Sequence, residues 1–138
     1  MTTEFSCGAL VYFIDNQQMI FLILHYFSGH WDFPKGNKER GETHIDTIRR
    51  EIKEETGISD VTFIDGFEKE ISYNYTRDNR LISKKVLYRL ARTHSKDVVL
   101  SSEHTNFEWD PYELALKRLT YKKSKKILTE GYKFLKNF

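Results

Sequence analysis

The chain has 138 residues, with 22 Lys and Arg against 20 Asp and Glu and a net charge of +2. That length suits a single domain spanning residues 1–138 with a buried core and is too short for two. The near-balanced charge demands no nucleic-acid partner. Cys7 is the only cysteine, which excludes an internal disulfide, and no 18-residue apolar run or leader pattern appears. A soluble, cytoplasmic monomer with no membrane partner is the expectation.

In chain order, Phe5 to Ile14 is β-rich and Met19 to His25 is a second apolar run, with Asp15-Asn16-Gln17-Gln18 between them as a hairpin turn. A loop follows from Tyr26 to Trp31, and Asp32-Phe33 reads as a short strand ended by Pro34. Val61 to Tyr75 and Leu81 to Thr93 read as long strands joined by Thr76-Arg77-Asp78-Asn79-Arg80. Phe107-Glu108-Trp109 reads as a last short strand. Asp110-Pro111 opens a short helix, with Asp110 as N-cap and Pro111 at the first helical position. A final helix from about Tyr121 to Lys136 would bury Tyr121, Leu128, Leu135 and Phe138. Strands with helices on both faces predict an α/β class fold, an α/β/α sandwich around a mixed β-sheet. From Lys117 to Lys136 eight basic residues face one acid, Glu130, which is either a solvated helix face or a basic wall against an anionic ligand.

Residues 36–58, GNKERGETHIDTIRREIKEETGI, carry the chemistry. Thr43 is a candidate N-cap with Asp46 as an imperfect capping-box partner. Ile45, Ile48 and Ile52 recur at helical spacing and Gly57 supplies the stop, so a helix is predicted from His44 to Thr56. On it Glu51 and Glu55 project about 40° apart, with Cβ atoms about 5–6 Å apart. Glu54 lies about 60° to the other side of Glu51. Such a cluster repels itself unless a cation sits in it. A divalent-metal site is therefore the leading reading, with Glu51 and Glu55 as the pair and Glu54 as a ligand or a general base. Gly36 lacks a side chain, so its carbonyl can approach a cation. Mg²⁺ takes oxygen ligands and keeps waters that substrate phosphates can replace. Arg50 is expected to tie the preceding loop to the helix or to orient a neighbouring glutamate, and not to be a ligand.

These residues match the signature of the Nudix hydrolases: Gly36, Glu42, Arg50-Glu51, Ile52, Glu54-Glu55, Gly57 and Ile58, each at the family's spacing. Looser segments resemble the asymmetrical diadenosine tetraphosphate hydrolases within that family. They are Ser6-Cys7-Gly8-Ala9, His30-Trp31-Asp32-Phe33-Pro34-Lys35-Gly36, Gly66-Phe67-Glu68-Lys69-Glu70, Ser102-Glu103-His104 with Trp109, and Leu128 to Leu135. The resemblance implies the Nudix fold and metal-dependent cleavage of a dinucleoside polyphosphate into ATP and AMP, with Mg²⁺ as cofactor and Mn²⁺ as the substitute. It places His30, Lys35 and Lys84 against phosphate, Tyr121 on adenine, and Glu103 beside Glu51, Glu54 and Glu55 at the metal. Tyr73 or Tyr75 would form the opposite face of the adenine site. Glu54 is the favoured base, with Glu51 and Glu103 as the other candidates, and Arg50 and Lys35 complete the catalytic set. Asp32 departs from the subfamily, where a neutral residue such as Thr is common. His25, His44, His94 and His104 have no partners that the sequence names. An RNA 5′-pyrophosphohydrolase on the same fold and a non-catalytic nucleotide sensor are the alternatives. The former typically carries Gln where this chain has Lys35.

Overall fold

Alternate residues of the central strands are apolar on both sides, and such strands are stable only when both faces of their sheet are covered. The computed structural model describes residues 2–137. Its elements are β1 (Thr2–Asp15), β2 (Gln18–Tyr26), β3 (Trp31–Asp32), β4 (Lys35–Asn37), α1 (His44–Thr56), β5 (Thr62–Arg77), β6 (Arg80–Arg92), β7 (His104–Pro111), α2 (Tyr112–Arg118) and α3 (Lys122–Lys136). The strands form one mixed sheet with the path β3-β2-β1-β6-β5, while β4 pairs with β1 and β7 with β2. Among the described residues only β1 and β6 run parallel, from Thr2 opposite Ile82 to Tyr12 opposite Arg92. This is the expected Nudix-type sandwich.

The period-two pattern divides the interior in two. Cys7, Ala9, Val11, Leu22, Leu24 and Leu87 face α1, where Ile48 and Ile52 close the layer. Leu10, Tyr12, Phe21, Ile23, Val86, Tyr88 and Leu90 face the other way, against Ala115 of α2, Leu119 at its C-cap, and Ile127, Leu128 and Leu135 of α3. Ile52 is 1 % exposed, so truncation to Ala would cost about 2–5 kcal/mol and loosen the helix that carries the glutamates.

Helix α1 occupies the residues its pattern predicts, and its capping is fuller than expected. The Thr43 side chain accepts from the Asp46 backbone N–H, and the Asp46 carboxylate accepts from the Thr43 backbone N–H. Two orphan donors are thus satisfied reciprocally. Gly57 ends the helix at φ 76°, a left-handed conformation that costs glycine little. Both predicted hairpin turns have two central residues at positive φ, Asn16-Gln17 and Asp78-Asn79, the conformation that matches strand twist in two-residue hairpins.

Several expectations change. Asp110 does not cap α2: it lies in β7 and its carboxylate accepts from the Arg118 guanidinium at 2.5 Å. Pro111 is the N-cap residue, without a side-chain bond. Tyr121 is the N-cap of α3 and is 48 % exposed, because the apolar side of α3 begins one turn later at Ser124 and Ile127. Phe138 lies outside the described residues. Gly36 sits in a strand, β4, whose pairing with β1 matches Cys7 to Gly36. The β3 strand ends at Asp32, and β7 extends well beyond the expected three residues.

Candidate active site

Strand β4 and helix α1 cross so closely that the backbone of one touches the side chains of the other. The Glu51 carboxylate lies over Gly36, where an added Cβ would stand 2.0 Å from Glu51 Cδ. One residue away, the Lys35 backbone N–H donates to Glu55 Oε1 at 3.1 Å. The two glutamates that the helical projection pairs are thus both held against the same strand.

Arg50 organises the outer side. Its Nε donates to Glu42 Oε2 at 2.7 Å and one terminal nitrogen donates to Glu42 Oε1 at 3.0 Å and to the Asn37 carbonyl at 2.9 Å. The other terminal nitrogen donates to Glu51 Oε1 at 2.6 Å and reaches Glu54 Oε2 at 3.4 Å. The planar fork satisfies loop and helix together, which a lysine could not do. The Arg50 hydrogen bond, with help from the Glu39 N–H, holds the Glu42 carboxyl down at about 2.

A cavity of about 340 Å³ opens beside this unit, and Gly36, Glu51, Glu54, Glu55, Lys84 and Glu103 line it. All five metal residues expected from the sequence therefore reach one cleft. Glu54 is the most solvent-open of the three cleft glutamates on α1, with a side chain 59 % exposed against 13 % for Glu51 and 5 % for Glu55. Burial, and then the neighbouring Glu51, push the Glu55 carboxyl up to about 9. Burial likewise raises Glu51, against the pull of Arg50. A bound cation would remove this like-charge cost, so the donor set fits an oxygen-seeking divalent ion. Among the described residues no three His, Cys, Asp or Glu side chains converge closely enough to hold a metal ion as they stand. An open, partly filled ligand set suits an ion that keeps several waters.

Lys84 crosses the cleft floor, donating to Asn37 Oδ1 at 2.9 Å and pairing with Glu4 at 3.4 Å. Ser6 donates to the same Asn37 oxygen. Burial lowers the Lys84 ammonium despite Glu4.

A second cavity, of about 280 Å³, adjoins the first and shares Lys35 with it. Ile71, Tyr73 and Tyr121 give it apolar walls, and Asp32 lies at its edge. Asp32 is almost fully buried; it accepts from Lys35 Nζ at 3.2 Å and from the Phe33 N–H. Burial acts to lower Lys35, but Asp32 and Tyr73 outweigh it and the ammonium rises. The departure at Asp32 thus puts a counter-charge under Lys35. His30 stacks on Tyr26 with ring centres 4.5 Å apart and lies 5.4 Å from Tyr121. Burial lowers its imidazole below the usual value.

Tyr75 is not brought into this pocket. Its hydroxyl donates to Glu4 at 2.5 Å, and Arg77 bonds the same network. The sequence names no partner for His104, which is buried 3.9 Å from Glu55. Its partners come from α1 and from the 101–104 loop, so no local spacing reveals it.

A NUDIX domain model matches residues 6–131, and the chain belongs to the Nudix family. The asymmetrical bis(5′-nucleosyl)-tetraphosphatase of Mus musculus is 35 % identical to it, with 94 % of each chain covered. A crystal structure of a Caenorhabditis elegans Ap4A hydrolase binary complex superposes with a TM-score of 0.87 at 29 % identity, covering 98 % of this chain and 99 % of that one. An RNA pyrophosphohydrolase of Helicobacter pylori is 27 % identical over 56 % of the chain. Members of the family depend on divalent metal. No helix among the described residues is long and apolar enough to cross a membrane.

Proposed function

We propose that this protein hydrolyses dinucleoside polyphosphates, with diadenosine tetraphosphate plus water giving ATP plus AMP. The observation that carries this reading is the shared wall at Lys35. A glutamate-lined cleft suited to a metal and phosphates opens directly onto an aromatic pocket suited to a base. The full-length similarity to the asymmetrical tetraphosphatases supports the same substrate class.

The Gly36 carbonyl, Glu51, Glu54, Glu55 and Glu103 would hold Mg²⁺, or Mn²⁺ in its place. The ion supplies charge neutralisation for the phosphates and acidifies water. Lys84, Lys35 and His30 bind the phosphate bridge and meet the charge that spreads onto the leaving polyphosphate. Glu54, exposed at the cleft mouth, accepts a proton from the attacking water. The water oxygen forms a new bond to one phosphorus, and the bridging P–O bond breaks with its electron pair leaving on the polyphosphate. Arg50 keeps Glu51 and Glu54 in place and does not touch substrate. Tyr121 and Tyr73 stack on adenine, an interaction worth about 1–3 kcal/mol per base.

The test is a substrate panel with Mg²⁺: dinucleoside polyphosphates, ADP-ribose and 5′-triphosphate RNA. The reading predicts the highest kcat/KM on the tetraphosphate. Preferred turnover of the RNA would assign the protein to the RNA pyrophosphohydrolases. Absence of turnover on every substrate would make it a nucleotide-binding domain without catalysis.

A further inference from the structure

His104 is fully buried at the start of β7, yet among the described residues its Nε2 has no hydrogen-bond partner. A buried polar nitrogen left unpaired costs on the order of 1–3 kcal/mol, so its surroundings bear inspection. Its other nitrogen, Nδ1, lies 3.1 Å from the Ser101 hydroxyl. The Nε2 side points at Glu55 Oε2, 3.9 Å away, and Tyr26 closes the ring edge-on with centres 4.5 Å apart. The loop that carries Ser101 and Glu103 is joined to the same end of α1 by backbone bonds, Ser101 N–H to the Glu55 carbonyl at 3.3 Å and Val99 N–H to the Thr56 carbonyl at 2.9 Å. The Lys35 N–H donates to Glu55 Oε1, and His104 Nε2 faces Oε2 from beyond hydrogen-bond distance.

We propose that His104 is a positioning residue for Glu55, within a Ser101–His104–Glu55 relay that aims the carboxylate into the metal cleft. The relay fixes the tautomer. The relay requires the Ser101 hydroxyl to donate to Nδ1, so that the proton sits on Nε2 and faces Glu55. The present separation exceeds hydrogen-bond length by under about 1 Å. A shift of that size closes it when the carboxylate is drawn into position, as happens in sites that tighten on binding. A carboxylate that ligates a cation needs its remaining lone pairs held, and such supporting bonds are worth about 10–100-fold in metal affinity or activity. The same contact joins α1 to the loop of Glu103, so one imidazole sets the distance between carboxylates on two separate elements.

This inference rests on the metal-holding role proposed for Glu55, and a matched pair of variants separates the two. His104→Gln places an amide N–H where Nε2 stands and keeps the donor to Glu55. His104→Asn places its amide where Nδ1 stands and keeps only the link to Ser101. Mn²⁺ affinity, read by the loss of free-ion EPR signal, is compared for wild type and both variants, with thermal melts alongside. The relay predicts that His104→Gln stays within about threefold of wild type while His104→Asn binds Mn²⁺ about tenfold or more weakly. Equal affinity in all three, or equal loss in both variants, overturns the role of His104. Absence of Mn²⁺ binding by wild type itself overturns the metal site, and the relay with it.

Discussion

Gly36 and Glu51 share one volume: a methyl group on Gly36 would stand 2.0 Å from the Glu51 carboxyl carbon and 2.2 Å from Oε2. The contact fixes where β4 can lie relative to α1. Gly36→Ala must push the Glu51 carboxylate away from the cleft or part the strand from the helix. A displacement of about 1 Å in a catalytic constellation can cost about 10²-fold, so kcat/KM with Mg²⁺ is predicted to fall by that order. Circular dichroism should show the fold retained. Wild-type turnover in Gly36→Ala would mean that Glu51 acts from elsewhere.

Arg50 is predicted to be irreplaceable by lysine. Lys at this position keeps the charge and loses the fork that joins Glu42, Asn37 and Glu51. Activity should drop about 10–100-fold, as for other groups that orient a ligand. A pH effect follows from Glu42. Its folded-state pKa, about 2, lies below the value of about 4.3 expected for an unfolded glutamate. The stabilisation is therefore present above the unfolded value and lost as pH falls towards 2. Melting temperature in Arg50→Lys should be less sensitive to pH over that window than in wild type, which thermal melts from pH 5 to pH 2 would show.

The helix and its caps were legible from sequence because every determinant is local. Thr43, Asp46, the Ile spacing and Gly57 all lie within one element, and the Glu51–Glu55 pairing follows from helical pitch alone. The pieces that sequence misplaced depend on distant partners. Asp110 is a good cap by residue type, but Arg118 takes its carboxylate into β7. Tyr75 sits on the right strand for a base pocket, but Glu4, 71 residues away, holds its hydroxyl. Tyr121 fits the apolar spacing of α3, yet it precedes the first turn and stays exposed, which leaves its ring free for a ligand. His104 meets Glu55 only after β7 pairs with β2 and brings the 101–104 loop over α1.

Tyr121 and Tyr75 should behave differently. Tyr121→Ala removes an exposed stacking face, so KM for diadenosine tetraphosphate should rise by roughly 5–150-fold, the equivalent of about 1–3 kcal/mol. Tyr75→Phe deletes a hydroxyl engaged with Glu4 and leaves the pocket walls intact, so KM should stay near wild type. Steady-state kinetics on both proteins checks the pair, and the reverse ranking would place the base on the other side of β5.

Cys7 is fully buried between β1 and α1, and burial pushes its thiol up to about 11. The folded-state value exceeds the unfolded value of about 8.5. Its contribution to stability is complete below the unfolded value and is lost as pH rises through about 11. An aromatic disulfide reagent at pH 8 should leave the native protein unlabelled and label it at once in denaturant. Melts from pH 8 to pH 11 should fall less steeply for Cys7→Ala than for wild type. Rapid labelling of the native thiol would contradict the burial of β1 beneath the helix.

The proposed joint action of the glutamate cleft and the aromatic pocket is tested most directly by one product analysis. The protein is incubated with Mg²⁺ and diadenosine tetraphosphate and the nucleotides are resolved by ion-exchange chromatography, with Glu51→Gln and Glu55→Gln run in parallel. Equal amounts of ATP and AMP from wild type, with turnover lost in both variants, is the predicted result. Two molecules of ADP from each tetraphosphate, or near wild-type turnover in both variants, would contradict it.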